Sequence, residues 1–122
     1  SSITPDFNKL KEVCTKSKSM GCFVYAMQDG GDLAAIARMF APNIGVNEDI
    51  INGNSSGCLG AYLQLLTDLD QLQLSVFQGK QFGREGMVKV ISGKAGKQIE
   101  TSIGGSAKID HEIIIEIPEG RP

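Results

Sequence analysis

Gly53-Asn54-Ser55-Ser56-Gly57-Cys58-Leu59-Gly60-Ala61-Tyr62-Leu63-Gln64-Leu65-Leu66 is the stretch on which the fold turns. Asn54, Ser55 and Ser56 are helix-capping residue types, and Cys58, Leu59, Ala61, Tyr62, Leu63, Leu65 and Leu66 follow at once. That pattern is apolar nearly all round, which predicts a helix buried on every side. Gly57 and Gly60 lie three apart and let another backbone come close.

Downstream, the pattern changes to period two. Leu72, Leu74 and Val76 alternate with polar residues, Met87–Ile91 follows, and Ile99, Thr101 and Ile103 alternate again. Gly93–Gly96 and Gly104-Gly105 are the turns expected between them. From Ala107 the alternation is nearly strict and predicts a last strand. Ala107, Ile109, His111, Ile113, Ile115 and Ile117 share one face, opposite Lys108, Asp110, Glu112 and Glu116. Upstream, residues 5–18 read as a short helix with Asp6 as N-cap and Phe7, Leu10 and Cys14 at helical spacing. Cys22–Met27 reads as a strand, followed by the turn Asp29-Gly30-Gly31-Asp32. Leu33–Phe40 is ambiguous: its alanines favour a helix, whereas its alternation favours a strand. Five or six strands and one wholly apolar helix predict an α+β fold, a curved antiparallel or mixed sheet wrapped around that helix.

The 122 residues suffice for one domain with a real core, and 41% hydrophobic with 21% charged residues is ordinary for a globular chain. A net charge of -2 without a basic tract gives no reason to expect nucleic acid. No apolar run approaches the ~20 residues of a membrane helix, and no signal peptide is visible. Cys14, Cys22 and Cys58 form neither a disulfide framework nor, with the one His, a zinc site, so a reducing cytoplasmic compartment is the default. The chain opens Ser1-Ser2 without Met, which suggests processing, a tag or excision from a longer chain.

Chemistry concentrates in Asn47-Glu48-Asp49-Ile50-Ile51-Asn52-Gly53-Asn54-Ser55-Ser56-Gly57. Two carboxylates and a Gly/Asn/Ser turn run straight into the N-terminus of the apolar helix. Free backbone N–H groups and the positive end of the dipole attract anions there. A carboxylate beside a bound anion suits a general acid or base. The competing interpretation is a plain helix cap with solvated acids. Elsewhere the sequence offers less. His111 is expected to be packed on its strand's apolar face, and Cys58 to behave as a small hydrophobe within the helix. Arg38 suits either carboxylate recognition or a structural bridge.

Arg38-Met39-Phe40-Ala41-Pro42, Gly45-Val46-Asn47-Glu48-Asp49, Gly53-Asn54-Ser55-Ser56-Gly57 and Ala61-Tyr62-Leu63 follow one another in the order of a known motif series. Together with Gln78-Gly79, Gly83-Arg84 and Gly104-Gly105, they resemble the C-terminal half of the PhzF-like (phenazine biosynthesis) isomerases. That family is similar in fold to diaminopimelate epimerase, whose two halves are each a β-barrel around a central helix with the active site between them. The resemblance implies that Leu33–Phe40 is a strand. It implies cofactor-independent isomerisation, a proton shift on a small carboxylic acid, with no metal. By the same resemblance Asp49 corresponds to the second-half acid, and Gly53, Asn54 and Ser55 to the substrate-binding turn. Arg38, Asn52 and Ser56 are further candidates. Ile50 departs from the family's proline, and Asn52 stands where the epimerases carry a cysteine. The first half's Glu base and its His have no counterpart here.

The implied division is a linker and short helix at 1–20, a half-domain at 21–118 and a tail at 119–122. The implied partners are a small carboxylic acid and an N-terminal half-domain. A different possibility is a stand-alone, catalytically incomplete module that binds or interacts as a homodimer.

Overall fold

The computed structural model describes residues 3–120; Ser1-Ser2 and the end of the 119–122 tail lie outside the described residues. Helix α1 (Phe7–Ser17) starts where expected, because the Asp6 carboxylate accepts the Lys9 backbone N–H at 3.1 Å. Lys18, in the left-handed conformation, closes it by donating its N–H to the carbonyls of Cys14 and Thr15. The helix buries Cys14 and sets the edge of the Phe7 ring against Phe40 at 6.3 Å between centroids.

Among the described residues six strands form one mixed sheet: β1 (Cys22–Met27), β2 (Ala34–Ala41), β3 (Val46–Asp49), β4 (Gln71–Gln78), β5 (Gly86–Ala95) and β6 (Gln98–Gly104). Their order is β1-β2-β4-β5-β6, with β3 paired to the far end of β2. The β2–β4 pairing is parallel and the others are antiparallel. A parallel pair needs a long crossover, and here it consists of β3 and helix α2 (Gly53–Leu65). The chain is thus α+β, as the pattern predicts. All of Leu33–Phe40 except Leu33 falls in β2, where Ala35, Ala37 and Met39 are buried in the core. Pairing on both sides of this stretch outweighs the helical preference of its alanines.

The core is formed by Ala35, Ala37, Leu72, Leu74, Val76, Val88 and Val90 of the sheet and Leu59 of α2. The helix lies close to the sheet: a Cβ on Gly60 would come within 2.4 Å of Val90 Cγ1. Four sequence expectations are corrected here. The sheet is open, with β1 and β6 as its edges, so the barrel is not closed. Helix α2 is consequently covered on one side only. It buries Ser56, Gly57, Leu59, Gly60 and Gln64, while Tyr62, Leu65 and Cys58 are exposed. The turn expected at Gly93–Gly96 is shorter, because β5 continues to Ala95 and the chain reverses at Gly96-Lys97. Finally, Ala107–Ile117 forms no strand and His111 is solvent-exposed, because no other strand lines up beside this segment among the described residues. Strand β3 is an addition that the sequence pattern did not reveal. No described helix is long and apolar enough to cross a membrane.

Candidate active site

The candidate segment joins β3 to α2, so two regular elements fix its ends. Asp49 is the last residue of β3, held opposite Met39 of β2. Asn52 is the N-cap of α2, and its side chain binds both ways. Its Oδ1 accepts the Ser55 backbone N–H at 2.7 Å, and its Nδ2 donates to Asp49 Oδ2 at 3.0 Å. The cap residue therefore ties the carboxylate to the helix start. This satisfies one of the amides that a helix leaves open at its first turn. Among the described residues, no acceptor within the protein reaches the N–H groups of Gly53 and Asn54. They remain available to a ligand at the positive end of the helix dipole.

Beneath this turn lies Gln78, fully buried at the end of β4. Its Oε1 accepts the Asn52 backbone N–H at 2.9 Å, and its Nε2 donates to Ser56 Oγ at 2.8 Å. Ser56 Oγ in turn donates to the Asn52 carbonyl at 2.7 Å. One buried amide thus clamps the cap from below. The backbone turns away directly after it at Gly79, with φ at +89°. A Cβ on Gly79 would sit 2.3 Å from the Arg84 carbonyl oxygen, so only glycine fits there. In the sequence Gln78 stands out only as part of the Gln78-Gly79 motif. The available signal was its parity: it continues the buried series Leu72, Leu74, Val76 with a polar side chain.

The other candidates are distributed around the helix start. Ser55 Oγ donates to Met39 Sδ at 3.4 Å and opens onto a groove of about 260 Å³ beside Phe23, Tyr25 and Tyr62. Gly53 and Asn54 border a second groove of about 290 Å³, against Thr101 and Ile103. Cys58 stands between the two. Asp49 lines neither. Ser56 is buried and serves the clamp. Arg38 makes a two-pronged ion pair with Glu48, at 2.9 and 2.8 Å, and donates to the Ile3 carbonyl at 2.7 Å. Its guanidinium also sits 4.8 Å from the centroid of the Phe40 ring. The hydrogen bonds that Arg38 donates to Glu48 raise the Arg38 pKa above its ordinary value, and burial opposes this only in part. Arg38 is the bridge between β2 and β3 that holds Asp49's strand in place. Among the described residues no cluster of His, Cys, Asp and Glu is arranged to hold a metal ion.

An open α+β sheet that presents a capped helix N-terminus beside a carboxylate is the class of protein that this geometry defines. The family follows from comparison. Residues 1–112 match the family model of the phenazine biosynthesis-like proteins (PhzC-PhzF), and the chain belongs to that family. It is 32% identical over 113 residues to an uncharacterized isomerase of Clostridium acetobutylicum. It is also 32% identical over 112 residues to the uncharacterized isomerase YddE of Escherichia coli. Each match covers 88% of this chain and 37% of the relative. An uncharacterized isomerase of Schizosaccharomyces pombe is 31% identical over 112 residues, covering 88% of this chain and 60% of that protein. The chain therefore spans little more than a third of the first two relatives.

Proposed function

We propose that this chain is the C-terminal half of a PhzF-like, cofactor-independent isomerase. It acts by a proton shift on a small carboxylic acid, in a cleft completed by an N-terminal half. The observation that carries this proposal is the link Asp49–Asn52–Ser55. It ties a carboxylate to the cap of a helix whose Gly53 and Asn54 amides are open. The substrate carboxylate, or the oxyanion formed from it, sits on the N–H groups of Gly53 and Asn54, with Ser55 beside it. Asp49 relays a proton to or from the carbon skeleton, and Asn52 holds the acid in position. Open grooves on both sides of the helix start, and the short span relative to its relatives, are consistent with a site that requires a second wall.

Two measurements test this. Amide NMR of the labelled chain titrated with acetate, lactate and benzoate should move the Gly53 and Asn54 signals first, while matched sodium chloride leaves them in place. Signals that shift only elsewhere, or equally with chloride, overturn the anion turn. Assembled with the part of the Escherichia coli relative that this chain does not span, the complex should exchange solvent deuterium into small carboxylic acids. Asp49→Asn should slow that exchange by about 10²–10⁴-fold, the usual contribution of a positioned acid–base group. Exchange unaffected by Asp49→Asn would remove its catalytic role.

A further inference from the structure

Asn52-Gly53 is the one Asn-Gly pair in the chain. Asparagine followed by glycine is the pair most prone to lose its side-chain amide, because glycine has no Cβ to shield its own nitrogen. The Gly53 N–H has no acceptor among the described residues, and it stands at the positive end of α2, which favours loss of its proton. The Asn52 carbonyl shares a planar peptide unit with that nitrogen. This carbonyl accepts from three donors: Ser56 Oγ at 2.7 Å, the Ser56 N–H at 3.3 Å and Gln78 Nε2 at 3.4 Å.

We propose that Asn52 is a self-modification site, a succinimide-forming asparagine kept intact by the grip of Ser56 and Gln78 on its carbonyl. In this reaction the Gly53 nitrogen gives its proton to water and bonds to Asn52 Cγ. The Cγ–Nδ2 bond breaks, and the amide nitrogen leaves as ammonia with a proton from water. A water molecule then opens the ring at either carbonyl and leaves aspartate or isoaspartate. Only water is consumed, and nothing is oxidised or reduced. Closing the ring requires the Gly53 nitrogen to eclipse Cβ about the Asn52 Cα–C bond. At the observed ψ of +111° the two stand more than a right angle apart. Rotation of ψ brings them together, and the same rotation swings the carbonyl off all three donors. Asn52 and Gly53 are half-buried, between exposed Ile51 and Asn54, so the turn can open while the sheet stays folded. The modification therefore records how often the turn opens.

Either product damages the candidate site. In aspartate, an oxygen replaces the Nδ2 that donates to Asp49 Oδ2 at 3.0 Å, so two acidic groups meet and repel. In isoaspartate, the main chain runs through the former side chain, and the Ser55 N–H loses the Oδ1 that caps it.

Ageing the purified chain in mildly alkaline buffer, folded and in concentrated urea, tests the proposal, with fragment-ion mass spectrometry locating the converted residue. Asn52 should be the first asparagine converted. Folding should slow it by at least ~10-fold, since more than one net hydrogen bond must break together. Ser56→Ala and Gln78→Leu each remove a donor and should speed the folded-state reaction by about 2–10-fold, the equivalent of one hydrogen bond. Their rates in urea should match the parent. Ser56→Ala keeps a good helix former in α2 and decides the matter where Gln78→Leu does not fold. Conversion of Asn47 or Asn54 ahead of Asn52 overturns the site, and equal rates folded and unfolded overturn the grip. Folded variants that convert no faster than the parent overturn it too. The damage to anion binding rests on the function proposed above: Gly53 and Asn54 amide signals that move with acetate before ageing should stay still once Asn52 is converted. Signals that still move overturn the damage. Signals that move neither before nor after overturn the proposed anion turn and leave the modification result standing.

Discussion

Strand β4 and the Ala107–Ile117 segment are near twins in sequence and opposites in structure. Both alternate apolar and polar residues over a similar span. In β4 the pattern becomes a strand paired on both sides, with Leu72, Leu74 and Val76 buried. In the other segment the isoleucines stay in water. Alternation defines which face a strand would bury, but backbone N–H and C=O groups need a neighbour before the strand exists. A period-two pattern is therefore a statement about capability.

Substitutions can break or sharpen that contrast. The largest effect is expected from Leu74→Ala, which opens a cavity in the core and should destabilise the chain by about 2–5 kcal/mol in urea unfolding. A value near zero would mean that β4 is not held by its buried face. Gly60→Ala attacks the same sheet from the helix side, since the added Cβ meets Val90 Cγ1. A loss of about 1–3 kcal/mol is expected as α2 is pushed away. Gln78→Leu leaves the end of β4 apolar but strands the Asn52 N–H and removes the donor to Ser56 Oγ. It should cost about 1–3 kcal/mol, with hydrogen exchange accelerated at Asn52, Ser55 and Ser56. At the other extreme, Ile113→Ala should change the stability of the chain by no more than ~0.5 kcal/mol, the usual range for an exposed site. A larger loss would show that the segment packs on the body after all.

One pH expectation belongs with these. Raising a pKa favours the charged form, so whatever the Arg38–Glu48 pair contributes through Arg38 is complete below the ordinary guanidinium range. It is lost only as pH rises through the raised value. Melting temperatures of the parent chain and Arg38→Gln should keep a constant gap between pH 7 and pH 9.

The sequence made local grammar legible and long-range cover illegible. The Asp6 cap, β1, β4 and β6 could be read directly because each depends on neighbours one to four residues away. At the candidate turn, Asn54, Ser55 and Ser56 read as the capping residues, whereas Asn52 is the N-cap and those three lie within the helix. The Arg38–Glu48 bridge and the Gln78–Asn52 clamp were not legible, since they join residues that only the folded sheet brings together. The exposure of Tyr62 and Leu65 was misread for a related reason. An all-round apolar helix indicates that it is to be covered, without saying by what.

The parallel junction between β2 and β4 has a consequence for how the molecule assembles. Only Ala34–Ile36 and Ser75–Phe77 join the two strands, and the whole candidate site lies on the crossover between them. The β4–β5–β6 meander can zip from its own tight reversals, and β1–β2 can close as a hairpin. The junction must instead close a long loop before it gains any contact, which delays it. Asn52 thus meets Gln78 only once that loop has closed. A partly folded chain can keep its hairpins and still lack the site.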